Sequence, residues 1–249
     1  MVGPPRTTSS AKLGTMAGPV GLLGAMEPEV RGLVDAMSVE ASGRGAGFDY
    51  WHGSLAGREC VVARCGMGKV SAAAGVQRLI DQFAISRLVV CGLAGGLQPY
   101  LEIGDVVVGE RFVQYDLDAS PIYPRFEAPG LGVAIFEADS SLADHAALAA
   151  ASIDAAPEVH RGLIVTGDQF VKDDKRLELV HDFPEALCVE MEGAAIAQVC
   201  YLNQLPFVIV RVVSDRADGT APADFKRFVN DVAPAYTVGI VSELLRRLD

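Results

Sequence analysis

Four short stretches of this chain gather residue types suited to acid–base chemistry on a small polar molecule. Gly24-Ala-Met-Glu-Pro-Glu-Val30 turns through small residues into two acids, Glu27 and Glu29. Cys91-Gly-Leu-Ala-Gly-Gly96 is a glycine-rich end to a hydrophobic run, and Val189-Glu-Met-Glu-Gly193 sets Glu190 and Glu192 on either side of Met191. Arg211-Val-Val-Ser-Asp215 closes another hydrophobic run with a hydroxyl and an acid. A carboxyl group in apolar surroundings is costly unless it binds something. Kept protonated there it donates a proton, and kept charged it accepts one. Glycines let backbone approach a ligand closely and leave N–H groups pointing at it.

Each stretch also has a structural explanation. Acids at a helix N-terminus are worth about 0.3–1 kcal/mol each whatever else they do. The glycines suit packing or turns, Glu190 and Glu192 suit a salt bridge at a helix start, and Asp215 suits a cap or turn before Ala217-Asp-Gly219. Strand alternation puts Arg211 and Val213 on one face. A guanidinium inside a buried strand needs a carboxylate, for which Glu190 and Glu192 are the candidates. No GxGxxG and no Walker lysine is present, so a phosphate loop is poorly supported. His52, His145, His160 and His181 have no ligand spacing with each other or with cysteine, and no metal is expected. Several acids, close-approach glycines and neither phosphate nor metal ligands suit a polyhydroxylated small molecule.

The elements that must position these stretches are short apolar strands alternating with helices. Strands are expected at Val20–Gly24, Tyr50–Leu55, Arg58–Cys65, Leu88–Cys91, Asp105–Gly109, Leu163–Thr166, Leu187–Val189 and Phe207–Val213. Helices are expected at about Glu27–Met37, with Pro28 in the first turn, and at Val70–Phe83, Ser140–Ala151 with Ser140 as cap, Lys172–His181, Glu192–Asn203 and Pro222–Arg247, the last dividing around Pro234. Ala119–Gly132, with three prolines, reads as a long loop. The pattern is that of an α/β fold with a buried sheet between helical layers, in which ligands sit beyond the carboxyl ends of strands. All four stretches fall at such ends.

With 249 residues and neither an internal repeat nor a linker, one domain over 18–249 is expected. Residues 1–17 are rich in Pro, Ser, Thr and Gly and lack the apolar segment of a signal peptide; they read as a tail without catalytic role, with Met16 an alternative start. Half the residues are hydrophobic, yet no apolar run reaches the roughly 18–20 residues of a membrane span. A net charge of −11 opposes binding to nucleic acid. Five cysteines, odd in number and without CxxC, read as buried thiols of a reducing, cytoplasmic compartment.

The chain resembles the bacterial 5′-methylthioadenosine/S-adenosylhomocysteine nucleosidases of the purine nucleoside phosphorylase superfamily. The resemblance is carried by GAMEPEV, CGMGKVSAAAG, GLAGGL, GLIVTGDQFV, VEMEGAAIAQVC and PFVIVRVVSD with the downstream Phe225, from about Val20 to near the C-terminus. It implies a three-layer αβα sandwich around a mixed, barrel-like sheet, no cofactor, and a place in methionine salvage. It also implies a homodimer in which Ala119–Tyr123, with Ile122 where an aromatic is common, reaches the neighbour's site. Carried over, Glu29 is the base acting on water, Glu192 takes the ribose hydroxyls and Met191 packs on the sugar, with Glu190 beside them. Asp215 protonates adenine N7 and is held by Ser214. Phe170 stacks on the purine, whose edge is read by the backbone of Val171. Ala25, Met26, Ala94 and Gly95 line the sugar side, and Phe225 meets the 5′-substituent.

Those roles require Asp215 to hold a proton near neutral pH. Glu29 and Glu192, both at helix starts, would be charged. Superfamily phosphorylases hold phosphate with a serine and an arginine near the glycine-rich strand end. Val90-Cys-Gly-Leu93 has neither, which favours water as nucleophile, and Leu93 stands where the nucleosidases commonly carry Ser or Thr. An aminofutalosine-type nucleosidase, a nucleoside phosphorylase and a non-catalytic nucleoside-binding protein remain as alternatives.

Overall fold

A computed structural model describes residues 18–45, 47–154, 157–231 and 233–248; the expected tail over 1–17 lies outside them. Ten strands and seven helices follow in the order β1 (Val20–Gly24), α1 (Glu27–Ala36), β2 (Ser38–Gly45), β3 (Phe48–Leu55), β4 (Arg58–Arg64), α2 (Lys69–Phe83), β5 (Arg87–Gly96), β6 (Val106–Gln114), β7 (Ile135–Glu137), α3 (Ser140–Ala151), β8 (Val159–Thr166), α4 (Asp174–Asp182), β9 (Ala186–Glu190), α5 (Gly193–Asn203), β10 (Phe207–Asp215), α6 (Ala221–Asp231) and α7 (Ala233–Arg247). All strands belong to one mixed sheet.

The sheet closes on itself around β5. This strand pairs with β10 along most of its length and, through Gly95 and Gly96 alone, with β9. The ring β5-β10-β6-β8-β9 is completed by the β10–β6, β6–β8 and β8–β9 pairings. Beyond β5 the sheet continues through β1, β4, β3 and β2. Helices α1, α3 and α7 pack together on one side, and α2 and α5 on the other. Each side has its own apolar core, one including Leu22, Val62, Val210 and Leu244, the other Val61, Leu88, Ile196 and Ile209. Adjacent strand residues thus feed opposite cores, as side-chain alternation requires. The expected layered, barrel-like α/β architecture is observed.

Several local expectations need correction. Two strands were not foreseen. β2 is exposed along its length, so no apolar alternation marks it; β3 holds it through the backbone ladder. β7 is three residues long and gains its register from β6. β6 runs past Gly109 to Gln114, because β8 continues its ladder beneath the half-exposed Glu110 and Arg111. The cap of α3 is Asp139, whose carboxylate accepts the N–H of Leu142 at 2.9 Å, and Ser140 is the first helical residue. The C-terminal helix, by contrast, divides where expected, into α6 and α7, and Pro234 lies in the first turn of α7, where its missing N–H costs nothing.

Candidate active site

β1, β5, β9 and β10 end close together, and the four acidic or glycine-rich stretches meet there. Glu29 is the third residue of α1 and folds back over the turn that leads into it. Its Oε2 accepts the N–H groups of Ala25 and Met26, both at 2.8 Å. Its Oε1 faces the N–H of Leu93 at 3.4 Å. These donors and Arg211 favour the charged carboxylate, but complete burial outweighs them and raises its pKa. The helix start was expected to favour the charged form of Glu29, and burial works against it.

Arg211 sits on β10 in the floor of the site, 2 % exposed, and is held charged by the acids around it. Its Nη2 donates to Glu190, and to Glu192 at 3.3 Å. Glu190 also accepts the hydroxyl of Thr166 and the N–H groups of Glu192 and Gly193, at 3.0 and 2.7 Å. Three of these donors converge on Oε2 and the Thr166 hydroxyl on Oε1. Glu190 thereby locks the β9–α5 turn, a framing position that its sequence neighbourhood did not distinguish from a ligand-facing one.

Glu192, at the N-terminal boundary of α5, points the other way. Its Oε1 accepts the N–H of Gly68 at 2.9 Å, from the turn before α2. Gly66 and Gly68 hold φ of +87° and +90°, values only glycine adopts readily, and so bring that N–H inward. Burial raises the Glu192 pKa to about 7 against the pull of Arg211, with Glu190 adding to the rise. It is therefore poised near neutrality and not firmly ionised, contrary to expectation.

Asp215 ends β10 beneath the glycine-rich end of β5. The Ser214 hydroxyl donates to its Oδ2 at 2.9 Å and the Ala217 N–H to its Oδ1 at 2.9 Å. Burial raises its pKa; those two bonds oppose the shift, and the charges of Asp218 and Asp224 add to it. A Cβ on Gly95 would stand 3.0 Å from Oδ1, so the glycine gives the acid its room.

These groups line a cavity of about 370 Å³. Ala25, Met26, Ala94, Gly95, Phe170, Val171, Met191, Ser214 and Phe225 line it with Glu29, Glu190, Glu192 and Asp215. Phe170 and Phe225 meet edge to face at 5.8 Å. Leu93 reaches the same cavity. Ile122 does not: it is 82 % exposed on the surface of its own chain. Met67, Gln169, Pro222 and Lys226 also line the cavity and were not foreseen. The Gly-Met-Gly break before α2 was the available signal for Met67; the others carry no pattern distinguishable from a solvated loop or helix face.

The five cysteines are free and buried, and burial pushes the thiols of Cys60, Cys65 and Cys91 up to about 12. Among the described residues one group, Asp105, Glu158 and His160, brings three ligand-type atoms within 4.8 Å. It lies outside the cavity, and His160 pairs there with Asp105 at 3.3 Å and Glu158 at 3.7 Å. No helix of the described residues is long and apolar enough to cross a membrane.

The sequence pattern of the Phosphorylase superfamily matches residues 19–246. The 5′-methylthioadenosine/S-adenosylhomocysteine nucleosidase of Geobacillus kaustophilus is 42 % identical over 90 % of this chain and 95 % of its own length. The crystal structure of the Neisseria meningitidis nucleosidase of that name, in complex with methylthio-immucillin-A, superposes with a TM-score of 0.87 at 38 % identity, covering 92 % of this chain and 99 % of that one. That of Colwellia psychrerythraea, in complex with adenine, does so with a TM-score of 0.87 at 33 % identity, over 94 % and 97 %.

Proposed function

The chain belongs to the 5′-methylthioadenosine/S-adenosylhomocysteine nucleosidases of the phosphorylase superfamily, and from that membership we propose how its cavity hydrolyses these nucleosides to adenine and the 5-thioribose sugar. Adenine is a poor leaving group as an anion, and the N-glycosidic bond breaks through an oxocarbenium-like transition state. Asp215 gives its proton to N7 as the C1′–N9 bond breaks and its electrons pass to the base. A water molecule adds to C1′ and loses a proton to Glu29. Glu192 accepts hydrogen bonds from the ribose hydroxyls and Met191 packs on the sugar. Phe170 stacks on the base, Val171 reads its edge, Ala25, Met26, Ala94 and Gly95 line the sugar side, and Phe225 meets the 5′-group. Glu190 and Arg211 hold this frame.

The observation that carries the proton transfer is the placing of Asp215, 3 % exposed, bonded to Ser214 and raised in pKa by burial. General acid and base groups typically contribute about 10²–10⁴-fold each. Water is favoured over phosphate by the charges around the nucleophile's place. Glu29, Glu190 and Glu192 surround the single Arg211, whose Nη2 is engaged by two of them, and Leu93 offers no hydroxyl. A phosphate dianion would enter a cluster already in acidic surplus.

The test is adenine release from methylthioadenosine and S-adenosylhomocysteine in phosphate-free buffer. Release that requires phosphate would make the enzyme a phosphorylase. Specificity constants for a bulkier 5′-aminofutalosine-type substrate separate that alternative, and tight nucleoside binding without turnover would indicate a binding protein. The reading extends to a cytoplasmic homodimer acting in methionine salvage, with Ile122 of one subunit covering the site of the other. Its exposure on a proline-containing loop supports that placement.

A further inference from the structure

The first backbone donors of a helix have no acceptor within it, and Gly68, at the start of α2, has no side chain with which to cap them. Two of these donors are met by acids from elsewhere in the chain. The Gly68 N–H goes to Oε1 of Glu192 at 2.9 Å, and the Lys69 N–H to Oδ1 of Asp168 at 2.8 Å. Asp168 lies just beyond β8, two residues before Phe170 in the same loop. Its own backbone N–H donates to Oδ2 of Asp116 at 3.0 Å, and Oδ1 of Asp116 accepts the Lys69 ammonium at 2.6 Å. Asp116, Lys69 and Asp168 thus close a ring that joins the start of α2, the segment after β6 and the loop assigned to the purine. The fit at Gly68 is close: its φ is +90°, and a Cβ there would stand 3.0 Å from Oδ1 of Asp168.

We propose that Asp168 is a positioning residue for ribose recognition: by capping α2 from the purine-side loop it keeps the Gly68 N–H on Glu192, and so holds that carboxylate in place for the sugar hydroxyls. The inference rests on the nucleosidase reading and on Glu192 as the ribose contact. Asp116 has the complementary part. It holds the backbone N–H of Asp168, and with it the loop that carries Phe170 and Val171, whatever side chain stands at position 168. The two acids therefore serve different halves of the nucleoside, although both bind Lys69.

The experiment measures KM and kcat for methylthioadenosine beside the product-inhibition constant of adenine, which has no ribose. Asp168→Ala should raise KM about 3- to 10-fold, the usual worth of one helix cap, with kcat within about 2-fold of the parent and adenine inhibition unchanged. Asp168→Asn keeps an oxygen for the Lys69 N–H and should return KM close to the parent value. Asp116→Ala should weaken adenine as well as the nucleoside. Both positions are exposed, so the variants should fold, which circular dichroism checks. Equal losses for adenine and nucleoside in Asp168→Ala would mean a general loosening, and an unchanged KM would mean that Glu192 needs no such support. Either result overturns the proposal while leaving the nucleosidase in place, as would an Asp168→Asn variant no better than alanine or adenine inhibition untouched in Asp116→Ala. Absence of adenine release from methylthioadenosine in the parent enzyme overturns both.

Discussion

Gly92 of β5 and Arg211 of β10 are register partners, and the guanidinium of Arg211 lies across the place where a side chain on Gly92 would begin. A Cβ there would overlap Nη1 of Arg211 and stand 2.7 Å from Oε1 of Glu29. The absence of one methyl group thus allows the proposed base and the buried cation to share a single site. The glycine-rich run reads in sequence as turn or packing; at Gly92 it makes room for charge.

Gly92→Ala tests this directly. The added methyl must displace Arg211 or Glu29, so kcat should fall by at least about 10²-fold, the lower range for losing one general base. The fold should survive, as β5 is backed on both sides by β1 and β10. Circular dichroism with an adenine-release assay reads both, and near-normal turnover would remove the constraint.

Arg211→Leu should cost more in stability than in bulk. Glu190 and Glu192 would be left buried without their cation, a loss of about 3–5 kcal/mol. Chemical denaturation measures it. A cost below about 1 kcal/mol would mean that protons replace the guanidinium without penalty.

Asp215→Asn removes the proposed proton donor while keeping the shape. Hydrolysis should drop by about 10²–10⁴-fold with a near-parent melting temperature. Because burial raises the pKa of Asp215, the parent enzyme keeps its proton to higher pH than an exposed aspartate does, and kcat should decline on the alkaline side as that proton leaves. Parent-like turnover in the variant would exclude Asp215 as the donor.

Glu192 gives a stability signature in the ligand-free protein. Its carboxyl rises from an ordinary 4.5 to about 7 on folding. A raised carboxyl stabilises the fold fully below about 4.5, and that contribution is lost as pH climbs through about 7. Glu192→Gln should remove this component, flattening the melting temperature across that window. An unchanged pH profile would mean that Glu192 titrates normally.

The subunit proposal predicts a particle of twice 26.3 kDa by light scattering. Ile122→Asp should weaken association and raise KM more than it lowers kcat, since the side chain lies outside its own chain's cavity. A monomer with full activity would contradict it.

The amino-acid order by itself determined the alternation of β and α elements and the placing of acids at strand ends. Both are local: apolar period marks buried strands, and a carboxylate between apolar segments advertises itself by its cost. It also anticipated that Arg211 would need Glu190 or Glu192, because a buried guanidinium admits few other partners. Neighbouring residues could not reveal β2, which has no apolar face and is held by its backbone ladder with β3 and by the Arg44–Asp49 ion pair. Nor could they separate Glu190 from Glu192, two positions apart in one motif. Tertiary structure decided that, because Thr166 and the β9–α5 turn consume the acceptors of Glu190 while Gly68 turns Glu192 towards the cavity. Protonation was likewise decided in three dimensions. Helix starts favour charged acids, but desolvation at this closed sheet end is the larger effect, and burial is fixed only when β1, β5, β9 and β10 meet.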